Sequence, residues 1–206
     1  MNVKYIEIDG IDFCGKTTQV ELAYQFMRHN LGLKVWKTQQ PTKFSLASQQ
    51  IDEILSTSKN PREHAKELTD LFIADRISSL RQTGLYLADG VSVVCSRGRL
   101  STYAYQTAQG IEFDYIRGLH DNLLEPNLTI ILDLPVNAAL ARKAAAKRTR
   151  VDVFEKDKKF LAQVKTNYDN LRKMLNDDTI ITINGHRSIE LIRRDIQAKL
   201  EKLFGH

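Results

Sequence analysis

The run Gly10-Ile11-Asp12-Phe13-Cys14-Gly15-Lys16-Thr17 has the spacing G-x-x-x-x-G-K-[ST], and it follows the apolar segment Tyr5-Ile6-Glu7-Ile8 directly. Glycines in such a run let the backbone curl until consecutive N–H groups point inward, at the oxygens of a phosphate. The helix-like segment that leaves at Thr17 contributes unpaired donors and the positive end of its dipole. Lys16 is expected to reach the β- and γ-phosphates, and the Thr17 hydroxyl to hold Mg²⁺. The pattern predicts a nucleoside triphosphate bound by Gly10, Asp12, Phe13, Cys14, Gly15, Lys16, Thr17 and Thr18. Cys14 stands near a helix start, where a thiol pKa can fall, but a small filler in a tight loop is the simpler reading.

Something must hold that loop at the end of a strand and the start of a helix. Apolar runs predict strands over 3–8, 34–38, 91–95, 128–133 and 179–183. Amphipathic segments between them predict helices over 17–31, 65–89, 111–124, 136–147, 156–176 and 188–204. The strands read as continuous apolar runs rather than alternating ones, which implies burial on both faces. The expected fold is therefore α/β: a five-stranded parallel sheet flanked by helices, in one domain over 1–206. Ligands in such sheets bind beyond the carboxyl ends of the strands. Those ends carry the loop at Gly10, Gln39-Gln40-Pro41-Thr42, Ser96-Arg97-Gly98-Arg99 and Asp133-Leu134-Pro135.

Composition narrows the partners. The chain has 206 residues, enough for one medium domain with a substantial core. No apolar run approaches the roughly 20 residues that span a bilayer, so no membrane association is expected. The N-terminus has no basic patch followed by an apolar stretch, and no secretory signal is expected. Two cysteines, Cys14 and Cys95, argue against a disulfide framework and for a reducing, cytoplasmic setting. The net charge of +5 is spread along the chain without interleaved aromatics, which disfavours nucleic acid and suits a protein whose ligands carry many phosphates. His29, His64, His120, His186 and His206 show no spacing typical of a metal site, and Trp36 is expected in the core.

Beyond the phosphate loop, the chain resembles the thymidylate kinase family over nearly its whole length. The resemblance rests on Leu71-Phe72-Ile73-Ala74-Asp75-Arg76, Ser101-Thr102-Tyr103-Ala104-Tyr105-Gln106, Pro126-Asn127-Leu128-Thr129, Ile131-Leu132-Asp133-Leu134-Pro135 and the basic stretch closed by Asp152-Val153-Phe154-Glu155. It implies transfer of the γ-phosphoryl group of ATP, carried with Mg²⁺, to dTMP or a closely related deoxypyrimidine monophosphate, by a homodimer. Phe72 offers a flat face to the acceptor base, Arg76 one turn later can reach a base carbonyl, and Thr102 can donate to or accept from a ring nitrogen. The resemblance further implies that Asp12 binds the sugar 3′-hydroxyl, Tyr105 crowds the 2′ position, Tyr168 lies near the base and Arg97 grips the acceptor phosphate. Ser101 and Gln106 belong to the same substrate-binding block. Each has a bland alternative: Phe72 as core, Arg76 as a solvated face, Tyr105 and Tyr168 as packing residues.

The stretch from Arg142 to Arg150 reads either as an exposed helix end or as a lid over about 142–155. As a lid it would bring Arg148 and Arg150 to the transferring phosphoryl group and stack Arg142 on the adenine. Lys16, Arg97, Arg148 and Arg150 are thus the candidate catalytic residues. The chain also departs from the family: Ser96 precedes Arg97 where an aspartate is usual, Gln39-Gln40-Pro41 stands for Arg-Glu-Pro, and Val153 replaces an arginine. With Arg99 added, the acceptor rim is expected to be unusually positive. Three explanations compete: drift in an active enzyme, with Asp9 or Asp133 ordering the metal's waters; a shifted acceptor, nucleotide or nucleoside; or a nucleotide-binding regulatory protein with weak transfer.

Overall fold

Five strands, β1 (Tyr5–Asp9), β2 (Val35–Gln39), β3 (Ser92–Ser96), β4 (Leu128–Asp133) and β5 (Ile180–Asn184), form one sheet in the order β2-β3-β1-β4-β5, every neighbouring pair parallel. The structure is a computed structural model and describes residues 2–58, 60–145 and 157–205. Parallel neighbours need a crossover between them, and helices supply it. They are α1 (Lys16–His29), α2 (Leu46–Thr57), α3 (Ala65–Ala88), α4 (Arg99–Thr107), α5 (Phe113–His120), α6 (Val136–Ala145), α7 (Lys158–Leu175) and α8 (Ile189–Phe204), with a 3-10 turn at Pro61–His64.

Burial explains why these runs became strands. All of β1 and most of β3 and β4 are enclosed on both faces. Val20, Ala23, Phe26 and Met27 of α1, Phe160, Val164 and Leu171 of α7, and Ile192, Ile196 and Leu200 of α8 pack into one apolar core with them. A smaller cluster of Tyr5, Leu80, Val93 and Cys95 lies towards the β2 edge, where half-buried Trp36 stacks on Tyr86 at 4.5 Å. The expected strands and helices are present within a few residues at each described boundary; the expected helix end at 147 and helix start at 156 lie outside the described residues. Two helices were not anticipated. One is α2, started by Ser45, whose side chain accepts from the Ser48 amide; the other is α4, which the sequence presents as a motif rather than a helix.

The chain runs from β1 outward to β2 and back to β3, then to β4 and β5 on the other side. The direction of winding therefore reverses at β1, and the loop after Asp9 opens at the crevice that this topology reserves for ligands. Ile8 pairs with Ser96 across the β1–β3 ladder and Asp9 with Ile131 across β1–β4. Three loops thus emerge side by side from neighbouring strand ends. Among the described residues, no helix is long and apolar enough to cross a membrane.

His120 closes α5 against the core. Its ring stacks on Tyr103 at 4.9 Å and Nδ1 lies 2.9 Å from the Ile116 carbonyl, while Nε2 is buried without a partner. Burial, helped by the charges of Arg76 and Arg99, pulls its pKa down to about 3. The folded protein therefore refuses a proton that the unfolded chain accepts near pH 6.5, so the stability is complete above that pH and drains away as the pH falls towards 3. Between pH 6.5 and 5 this one group is expected to cost about 2 kcal/mol. Denaturant melts of wild type and His120→Phe across that range should show a shallower decline in the variant; parallel declines would contradict a neutral buried imidazole.

Candidate active site

The phosphate loop owes its shape to two glycines. Gly10 has φ 136°, and a Cβ there would sit 2.7 Å from the Leu132 carbonyl oxygen on β4. Gly15, at φ 103°, turns the chain into α1. Lys16 is buried and folded over the loop: Nζ donates to the carbonyls of Gly10 at 3.0 Å and Ile11 at 2.8 Å, and lies 4.0 Å from the Asp12 carboxylate. Thr17 and Thr18 are exposed in the first turn of α1. Cys14 is wholly buried, and burial raises its thiol pKa despite the nearby charge of Lys16, so it fills space. Arg142 reaches over from α6, donating to the carbonyls of Cys14 at 3.1 Å and Gly185 at 2.9 Å. That bridges the loop to the turn after β5. Arg148, Arg150, Val153 and the remainder of the expected lid beyond Ala145 lie outside the described residues.

A cavity opens beside the loop, between α2, α3 and α4. Leu55, Phe72 and Pro41 form its apolar lining, and Asp12, Arg97, Ser101, Thr102, Tyr105 and Gln109 are among the polar residues facing it. Asp12 belongs both to the loop and to this cavity. Its carboxylate accepts from the Arg97 guanidinium and, at 2.8 Å, from the Tyr105 hydroxyl. Burial pushes the Asp12 pKa up, but Arg97, Lys16 and the Tyr105 hydrogen bond outweigh it and hold the carboxyl below its usual range. Arg97 itself follows β3 at φ 65°, its guanidinium 5.2 Å from the Tyr105 ring centre and donating to Ser101 Oγ at 3.0 Å. The local charge is thus arranged in opposed pairs.

Beneath the cavity lies a second buried ion pair. Arg76 Nη2 donates to Glu7 Oε1 at 2.9 Å, Nη1 to Gln40 Oε1 at 2.8 Å, and the Tyr5 hydroxyl to Glu7 Oε1 at 2.5 Å. Gln40 in turn donates to Ser79 at 3.2 Å. Both terminal nitrogens of Arg76 therefore face protein partners. Asp75 holds the start of α2, accepting from the Thr42 amide at 2.8 Å and Ser45 Oγ at 2.6 Å. Gln106 is turned to Thr69 Oγ1 at 3.0 Å, and Tyr168 places its hydroxyl 2.7 Å from Asp9.

Two expectations about charge need correction. Arg99 does not enrich the acceptor rim: its guanidinium is pulled away to Glu125 and Asp177. Asp9 is buried with both oxygens occupied by protein donors, so it is not placed to order a metal's waters, and Asp133 pairs with Lys165 at 3.0 Å. Sequence reasoning passed over Glu7, Leu55 and Gln109. A carboxylate inside the apolar run of β1 was the visible signal for Glu7; Leu55 gave none, because α2 was not read as a helix.

The donor set suits Mg²⁺ carried on phosphates rather than a protein cage. Among the described residues, no group of three or more His, Cys, Asp or Glu could hold a metal, while the exposed Thr17 offers a neutral hydroxyl at the loop's helix start. A hard cation that keeps phosphate and water ligands needs little more from the protein.

The model of the thymidylate kinase family matches residues 8–196. The chain is 37% identical to a thymidylate kinase of Brachyspira hyodysenteriae, over 80% of this chain and 78% of the relative. It is 33% identical to a probable thymidylate kinase of Pyrococcus horikoshii over 94% of each chain, and 33% identical to a thymidylate kinase of Syntrophus aciditrophicus over 97% and 94%.

The floor of the cavity makes its own prediction. Gly98 has an ordinary extended backbone, yet a Cβ there would sit 2.0 Å from the Glu7 carboxylate, which Arg76 and Tyr5 hold in place. Gly98→Ala should therefore destabilise the protein by about 1–3 kcal/mol through overpacking. In a Glu7→Ala background the same substitution should cost far less, as read in a double-mutant cycle of denaturant melts. Equal penalties in both backgrounds would mean that Glu7 does not dictate the glycine.

Proposed function

Because this chain belongs to the thymidylate kinase family, we propose that it transfers the γ-phosphoryl group of ATP to dTMP, or to a closely related deoxypyrimidine monophosphate. The observation that carries this reading is the sharing of Asp12 between the phosphate loop and the neighbouring cavity, with Arg97 on the cavity side of it. Two phosphorylated ligands would then meet end to end.

On this reading ATP lies along Gly10 to Thr18, with its triphosphate against main-chain amides and Lys16 exchanging its loop carbonyls for phosphate oxygens. Arg142 presents its guanidinium to the adenine. Arg97 exchanges Asp12 for the acceptor phosphate, and Asp12 becomes available to the sugar 3′-hydroxyl, with Tyr105 beside the 2′ carbon. The base rests on Phe72, near the Thr102 hydroxyl. Mg²⁺ arriving with ATP, held by Thr17 and phosphate oxygens, would neutralise charge on the β- and γ-phosphates.

An acceptor phosphate oxygen attacks the γ-phosphorus, forming a new P–O bond, while the bond to the β–γ bridging oxygen breaks and its electron pair leaves with ADP. A monophosphate with a second pKa near 6 is already dianionic at neutral pH, so no general base is needed. Positioning and charge neutralisation do the remainder, which is why Ser96 in place of an acid is compatible with turnover. Closure of the segment following Arg142 would exclude water and deliver Arg148 and Arg150. A homodimer in a reducing, cytoplasmic setting completes the reading, consistent with Cys14 and Cys95 as buried free thiols.

Incubation with ATP, Mg²⁺ and a panel of nucleosides and monophosphates is expected to yield dTDP as the favoured product. Phosphorylation of nucleosides but not monophosphates would reject the assignment. Lys16→Ala should lower transfer by about 10³-fold, and Ser96→Asp should preserve or raise it. A large fall in the Ser96 variant would instead indicate an acceptor site tuned to a different monophosphate.

A further inference from the structure

Asp9, the last residue of β1, is fully buried, and five donors converge on its carboxylate. Oδ1 accepts from the Gly10 amide at 2.8 Å, Ser101 Oγ at 2.6 Å and the Tyr168 hydroxyl at 2.7 Å. Oδ2 accepts from the Gly98 amide at 3.1 Å and the Ser101 amide at 3.0 Å, closing the N-terminus of α4. One carboxylate therefore ties the first residue of the phosphate loop to the helix that walls the acceptor cavity.

The consequence falls on Arg97. With its proton committed to Asp9, Ser101 Oγ has only lone pairs to offer, and it accepts from Arg97 Nη1 at 3.0 Å. Donation to a buried anion makes that oxygen a stronger acceptor. It also remains electrically neutral, so it can orient the guanidinium without cancelling its charge. The other partner, Asp12, does cancel it and must yield when a phosphate dianion arrives.

We propose that Asp9, acting through Ser101 and steadied by Tyr168, is the positioning residue that aims the Arg97 guanidinium at the acceptor phosphate. Tyr168 is thereby given a role one step removed from the substrate: its hydroxyl lies 3.0 Å from Ser101 Oγ and donates to Asp9, and it holds the carboxylate in register. This inference rests on the reading of Arg97 as the grip on the acceptor phosphate.

Asp9→Asn risks the fold, since an amide cannot satisfy donors at both positions. Ser101→Ala cuts the link to Arg97 and removes one of the five donors to Asp9, while the Ser101 amide, the Gly10 and Gly98 amides and the Tyr168 hydroxyl still hold the carboxylate. In steady-state assays with ATP and dTMP, Ser101→Ala should raise the KM for dTMP about 10-fold or more, the size of a hydrogen bond to a charged group. The KM for ATP and the melting temperature should stay near wild type, Ser101→Thr should restore the dTMP value, and Tyr168→Phe should give a smaller rise. A second readout needs no turnover: the Arg97 Nε–H signal in NMR spectra, assigned through Arg97→Lys, should show faster guanidinium rotation in Ser101→Ala than in wild type, because only the Asp12 pairing then remains. An unchanged Arg97 signal, or KM values for both substrates rising together with a fall in melting temperature, would overturn the proposal. Should wild type make no dTDP, the kinase reading fails by that result alone, while the NMR comparison still decides whether Asp9 and Ser101 orient Arg97.

Discussion

The ion pair between Asp12 and Arg97 joins two loops that lie 85 residues apart in the chain. It exists because β1 and β3 are parallel neighbours in register, Ile8 beside Ser96, so that whatever follows each strand emerges at the same edge. On the proposed reading, one loop cradles phosphate with amides, and the other delivers a guanidinium. A site meant for two anions must collect cations before either ligand is present, and like charges crowded in a buried crevice repel one another. Here the cations are held by groups that a phosphate can replace: carbonyl oxygens for Lys16, Asp12 for Arg97. Binding then becomes an exchange of partners rather than the creation of new charge in a dry site, and the groups are near their working positions from the outset.

The floor of the cavity obeys a different constraint. Glu7 and Arg76 are both wholly enclosed, and such a pair contributes little net stability because each ion gave up its hydration. What it supplies is placement. Arg76 fixes the Gln40 side chain that faces the cavity, Gln40 fixes Ser79 on α3, and the Glu7 carboxylate occupies the space that a side chain at position 98 would need. The absence of a side chain at Gly98 is thus set by the strand beneath it rather than by backbone conformation.

Much of this was legible in the amino-acid sequence, and the parts that were not share a cause. The phosphate loop and its flanking strand and helix are local features, readable because glycine spacing and apolar runs act over a few residues. β1, β3 and β4 were readable for the same reason, because burial on both faces leaves continuous apolar runs, whereas the edge strands β2 and β5 are only partly buried and departed from that expectation. The segment from Leu46 to Thr57 carries only Ser48 and Ile51 as buried positions, too thin a stripe to announce a helix. Arg76 beside Glu7, Gly98 and Ser101 beside Asp9, and Asp177 beside Arg99 lie 69 to 92 residues away, and pairing across that distance leaves no periodicity. Arg99 illustrates the error this invites: placed on the acceptor rim by its neighbours in sequence, it is drawn away by Glu125 and Asp177.

Calorimetric titration of dTMP into protein already saturated with Mg²⁺ and a non-hydrolysable ATP analogue tests most directly whether two phosphorylated ligands occupy adjoining halves of one site. Adjacent sites that share Asp12 predict one dTMP bound per chain with the analogue still in place, and loss of that binding in Arg97→Ala. Displacement of the analogue by dTMP, or no binding opposite it, would show that the loop and the cavity do not form a donor and an acceptor site.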